Sequence, residues 1–154
     1  MPRIIRLFYF YLMKPFPLLL ISFFFFTSFF SQGNGRIDSL KTLLGKATCD
    51  SSIANLHLVL CIELSENQSA EAKFFGLMAL RYYRQKKNVF KTGQAYGCTG
   101  LACYNNSEFD EAVENYIHAL EIFDKLNNKN EAAFIHNKLG ALYNRINKPG
   151  KALL

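Results

Sequence analysis

No catalytic signature is present in this chain: there is no GxSxG, no phosphate-binding glycine loop and no HExxH. The three histidines, His57, His118 and His136, fall in different predicted helices with no carboxylate or cysteine at ligand spacing, so they read as packed or surface side chains. The sequence therefore implies neither an enzyme nor a bound metal or cofactor. The acidic run Glu108, Asp110, Glu111 and Glu114 falls in the first turns of a helix, where the helix dipole favours negative charge. Charge of one sign is also scarce. The net charge of +6 comes from 18 basic and 12 acidic residues, and half of it resides in Arg3, Arg6 and Lys14. Without those three the balance is 15 against 12, too even for a nucleic-acid footprint. Arg81, Arg84, Lys86 and Lys87 cluster late in a helix and in the loop after it, a position cations favour.

A long apolar run is missing as well. The tract Leu18 to Phe30 covers 13 residues, about 20 Å of helix against a hydrocarbon core of roughly 30 Å. Extending it backwards meets Pro17, Pro15 and Lys14. Basic residues, an apolar core and then the small polar stretch Ser31 to Gly35 form a secretory signal, cleaved or retained as a signal anchor. Either form places the rest of the chain outside the cytoplasm, periplasmic or secreted, with membrane contact only through this segment. No cysteine directly follows the tract, so lipidation is not expected. Cys49, Cys61, Cys98 and Cys103 have no zinc or redox spacing. Cys98 and Cys103 lie five apart on one predicted helix, turned about 140° from each other, and cannot pair together. Cys61 has Cys98 or Cys103 within reach across neighbouring repeats, but the expectation is small, buried, free thiols.

What the chain does have is a 40-residue repeat written in small residues. Glu71-Ala72 followed by Ala79-Leu80 recurs as Glu111-Ala112 followed by Ala119-Leu120, Lys151-Ala152 opens a third copy, and Gly100 recurs as Gly140. Small residues at this spacing let two helices approach closely, so the fold class is all-α, built of stacked helical hairpins. Residues 1–33 form the signal. Residues 34–51 are a linker and a capping helix, with GNG at 33–35 as a flexible joint and Ile37, Leu40, Leu43, Leu44 and Ala47 on one face. Repeats follow at about 52–90, 91–130 and 131–154, the last incomplete. Their helices are expected from about Ser52 to Ser65, with Leu56, Val59, Leu60 and Ile62 inward, and from about Ser69 to Gln85. The next pairs run from about Lys91 to Asn105 and Glu108 to Leu126, and the last helix from about Glu131 to Ile146. Ser107 with Asp110 three residues later spells a capping box.

These residues resemble the tetratricopeptide repeat family over roughly Ser52 to Leu154. The resemblance rests on Tyr96, Gly100, Ala112, Tyr116 and Ala119, then on Leu139, Gly140, Tyr143 and Ala152. Ala72 and Ala79 hold the packing positions of repeat one, which departs from the pattern at Leu60, Glu63 and Gly76. The period exceeds the usual ~34 and is similar to the lengthened variety in extracytoplasmic bacterial sensor proteins. The resemblance implies a solenoid that binds a protein or peptide on the face of its first helices. Carried over by alignment, that face holds His57 and Cys61; Gln94, Gly97, Leu101, Tyr104 and Asn105; Phe134, Asn137, Ala141, Asn144 and Arg145. Amides and a guanidinium there suit an extended peptide and its terminal carboxylate. The implied function is the sensor or scaffold part of a larger signalling protein. Alternatives are an envelope scaffold without a regulated ligand, or the N-terminal piece of a sensor histidine kinase. With the third repeat incomplete, the face of Leu139, Leu142, Tyr143 and Ile146 is expected to be open and to favour self-association.

Overall fold

A computed structural model describes residues 32–147. The apolar tract 18–30, Ala152 and the second helix of the third repeat lie outside the described residues. Among those described there are six helices and no strand: α1 (Gln32–Lys46), α2 (Asp50–Leu64), α3 (Ser69–Gln85), α4 (Val89–Asn105), α5 (Phe109–Lys125) and α6 (Lys129–Ile146). None of them is long and apolar enough to cross a membrane. The contacts between helices described below lie within the unit that begins at Ser39. The joint expected at Gly33 to Gly35 is helical instead, as the first turn of α1. Of the apolar face of α1, Ile37, Leu40, Leu44 and Ala47 are half-buried, whereas Leu43 is exposed.

Helices α3 to α6 start 20 residues apart, at 69, 89, 109 and 129. Three of the turns between helices are built alike. Lys87, Ser107 and Asn127 each adopt a left-handed backbone, with φ of 53°, 63° and 52°. The amide after each reaches back to a carbonyl five residues earlier: Asn88 to Tyr83, Glu108 to Cys103 and Asn128 to Phe123. The left-handed residue's own amide bonds three residues back, to Arg84, Tyr104 and Asp124. Together these bonds make a Schellman closure, which satisfies the last carbonyls of one helix and reverses the chain within three residues. The asparagines Asn88 and Asn128 then cap the next helix, their side-chain oxygens accepting from the amides of Lys91 and Glu131. Ser107 is therefore not the N-cap that the Ser107–Asp110 spacing suggests. It is the left-handed residue, and the N-cap of α5 is Glu108, whose side chain makes no capping bond.

From α2 to α6 each helix packs on the next, and first helices also touch first helices, α2 on α4 and α4 on α6. Ala72, Ala79, Ala112 and Ala119 are completely buried, as the repeat requires. A Cβ at Gly100 would come within 2.8 Å of the Tyr116 ring and 3.3 Å of the Asn115 Cβ. At Gly93 it would meet Ile122 and Phe123 at 2.9 Å, so two glycines two turns apart on α4 receive the two buried rings of α5, Tyr116 and Phe123. Gly140 and Tyr143, expected as packing positions, are both exposed, and a Cβ at Gly140 would meet nothing. Of the expected open face, Leu142 is fully buried and Leu139 nearly so, while Tyr143 and Ile146 remain 49% and 41% exposed.

Helix α2 departs from the expected inward face. Ala54, Leu58, Cys61 and Leu64 are buried beside Leu60, whereas Leu56 and Val59 are half-buried and Ile62 is 54% exposed. Its turn to α3 spans Ser65 to Gln68, four residues where the other turns have three, and contains no left-handed residue. Because α3 and α5 keep the 40-residue register, α2 ends one residue early and presents the adjacent side chains inward. The buried stripe Ala95–Thr99–Ala102 of α4 thus corresponds to Ala54–Leu58–Cys61 of α2, 41 residues back. Cys61 consequently lies inside, not on the outward face, and is disulfide-bonded to Cys98 with 6.2 Å between their Cα atoms. That bond replaces the free thiols expected at these two positions and ties α2 to α4. Cys49 and Cys103 are the free cysteines.

Candidate functional site

The first helices enclose an apolar groove of about 250 Å³. Ile62 from α2, Gly97, Cys98 and Leu101 from α4, and Phe134 and Ile135 from α6 form its walls, with Phe123 behind them. Gly97 makes the close approach possible, since a Cβ there would stand 2.9 Å from Ile135 Cδ1. Ile62 and Phe134 are both about half exposed, so the apolar surface faces solvent. The polar end belongs to Gln94 and Glu131. Gln94 Nε2 donates to Glu131 Oε1 at 3.2 Å, and Gln94 Oε1 is buried with no hydrogen-bond partner. Asn128 and Glu131 have capping-box spacing, but the Glu131 carboxylate is used on Gln94.

The side chains singled out from sequence separate into three settings. Gln94, Gly97, Leu101 and Phe134 come together in the groove. His57 is turned toward α3, stacked on Phe75 with ring centroids 5.6 Å apart, and lines a cleft with Met78, Arg81 and Tyr82. Burial pushes its imidazole below the ordinary histidine range. Of the remaining residues, Tyr104, Asn105, Asn144 and Arg145 lie toward the C-terminal ends of α4 and α6. Asn105 Nδ2 donates to the carbonyl of Ser65 at 2.7 Å, which joins the C-terminal ends of α2 and α4. Arg145 stands over two rings, 5.0 Å from the centroid of Tyr104 and 5.2 Å from that of Phe109, and so is not free in solvent. Asn137, Ala141 and Asn144 are exposed.

Sequence reasoning missed Ile62 and Glu131 as groove residues. Ile62 was hidden by the one-residue offset of α2. Glu131 was legible as the third residue of α6, where an acid is normally explained by the helix dipole.

One acidic cluster has metal-ligand proximity. Cys103, Glu108 and Glu111 offer atoms within 4.8 Å of one another. Lys73 already supplies the cation, its ammonium lying 2.7 Å from Glu108 Oε2 and 2.6 Å from Glu111 Oε2. Burial pushes the Cys103 thiol up to about 12, which keeps it protonated and a poor ligand. The cluster links α3 to α5, as Lys41 and Glu71 link α1 to α3 at 2.8 Å.

No protein-family model, no curated protein and no solved structure matches this chain.

Proposed function

We propose that the chain is an exported repeat module of the tetratricopeptide type that binds an extended segment of another protein along its first helices. The groove between α2, α4 and α6 carries this reading, because it joins solvent-facing apolar walls to a polar end in one concavity. The 20-residue spacing of the helices and their Schellman turns supports a repeat architecture continued as a solenoid. Export is supported by the basic, apolar and small-residue order of residues 3–35 and by the Cys61–Cys98 bond, of a kind that persists in oxidising compartments. In such a setting the module serves as the sensor or scaffold part of a signalling protein.

A photo-crosslinking amino acid placed at Leu101 in living cells tests the reading. Adducts to one partner are expected at Leu101 and not at Phe74, which is 57% exposed on α3, outside the groove. Equal labelling from both positions, or labelling from Phe74 alone, removes the groove as the binding surface.

A further inference from the structure

Resting on that reading, we infer that the groove selects a segment carrying an aliphatic side chain beside a cationic one, lysine or arginine, and not a terminal carboxylate. The charge and hydrogen-bonding sense of its polar end set this preference. A carboxylate only accepts, so Glu131 fixes the Gln94 amide with its NH2 toward Oε1 at 3.2 Å and its carbonyl oxygen turned away. That oxygen, Gln94 Oε1, has no donor. The end of the groove therefore presents the negative charge of Glu131, with Gln94 Oε1 buried and unsatisfied beside it, and an incoming charged group has to bring N–H donors. A carboxylate would meet Glu131 with like charge, whereas an ammonium or guanidinium pairs with it. Arg145, the guanidinium that sequence alignment offered for a carboxylate, is held over Tyr104 and Phe109 and does not line the groove. Lys138 does not line the groove, and its ammonium lies over the ring of Phe134, 5.2 Å from the centroid. The apolar walls at Ile62, Leu101 and Ile135 supply the other half of the specificity, with room for one branched aliphatic side chain.

The test uses the full chain and an array of N-acetylated, C-amidated heptapeptides with leucine at the centre and every amino acid at each flanking position. Ile62→Asp marks groove binding, since Ile62 is half exposed and its replacement leaves the buried core intact. The bound peptides are expected to be enriched in lysine and arginine beside the leucine and to be lost in Ile62→Asp. Glu131→Gln, which keeps an acceptor for Gln94, is expected to weaken them about tenfold. Glu131→Lys is expected to shift the preference toward aspartate and glutamate. Peptides that depend on Ile62 but show no preference for cations, or prefer acids in the wild type, overturn the inference and leave the groove standing. If no bound peptide responds to Ile62→Asp, the groove reading itself falls.

Discussion

The first two hairpins, α2–α3 and α4–α5, have nearly the same plan and solve its packing problem differently. In the second, large rings sit on the second helix and glycines on the first, with Tyr116 over Gly100 and Phe123 over Gly93. In the first, both helices bring volume, Leu58, Leu60 and Leu64 from α2 and Phe75, Leu80 and Tyr83 from α3, and position 76, the counterpart of Tyr116, is a glycine whose Cβ would come within 2.5 Å of Thr99 Oγ1 and 2.9 Å of Cys61 Sγ. The close approach made by Gly76 is therefore both to Thr99 of the next repeat and to the disulfide-bonded Cys61 of its own hairpin. A strict sequence period thus does not require a strict period of packing, because one extra turn residue rotates a helix by about 100° and reassigns its inward face.

The largest effect should come from removing the ring on which the second hairpin depends. Tyr116→Ala leaves a cavity in the deepest part of the core and is expected to cost ~3–5 kcal/mol in chemical denaturation. Gly76→Ala, at the equivalent place in the first hairpin, is expected to cost ~1–3 kcal/mol by overpacking. Equal losses would mean that the two hairpins are packed alike after all.

Deleting Asn67 shortens the first hairpin's turn to three residues. α2 should then rotate, bringing Ile62 inward and taking Cys61 off Cys98. Mass spectrometry of the alkylated, non-reduced deletion protein should count four free thiols where the wild type has two, with ~2–4 kcal/mol lost along with the bond. Retention of the disulfide in the deletion protein would refute the offset of α2.

A smaller contrast concerns the lysines. Lys73 bridges two carboxylates between the second helices, whereas Lys41 meets one. The Lys73 bridge holds Glu108 below its ordinary value of 4.5. A lowered carboxyl stabilises the fold above its unfolded value, and this contribution disappears as pH falls through the folded one. The raised Lys73 contributes below its ordinary 10.5, so its share is intact throughout the acid range. Lys73→Met should therefore lower stability at pH 7 by up to ~1 kcal/mol and flatten the loss of stability below pH 4.5. Thermal unfolding across pH 3 to 7 measures both, and Lys41→Met should change the acid limb less.

The smallest effects, of opposite sign, belong to the turns. Ser107→Gly and Lys87→Gly should each stabilise by ~0.5–1 kcal/mol, since glycine adopts the left-handed backbone without a Cβ penalty. Asn127→Gly should gain less, because asparagine tolerates that region. Loss of stability in Ser107→Gly would contradict the Schellman geometry assigned to that turn.

The second helices were legible because their alanines repeat without slippage and each must vanish into a helix contact: Ala72, Ala79, Ala112 and Ala119. Helix α2 was not. Its run Leu56 to Leu64 is apolar nearly all round, so periodicity cannot choose a face, and both Asn67-Gln68 and Asn106-Ser107 read as turns without revealing that one is longer. In the groove, Gln94, Leu101 and Phe134 followed from alignment. The positions of Asn105 and Arg145 did not, because the Ser65 carbonyl and the two rings that hold them belong to other helices, brought near only by tertiary packing.

The two free thiols give the molecule a fast and a slow chemical label. Cys49 is exposed at the start of α2, where bonds to Ser51 lower its thiol, so it alkylates at once. Cys103 is completely buried between α4 and α5 and reacts only when that contact opens. Iodoacetamide added to the native chain at low concentration therefore modifies Cys49 first and Cys103 at the rate of an open thiol multiplied by the fraction of time that the second hairpin is open. The lag between the two adducts reads the local opening free energy of the α4–α5 contact, with no introduced dye or mutation.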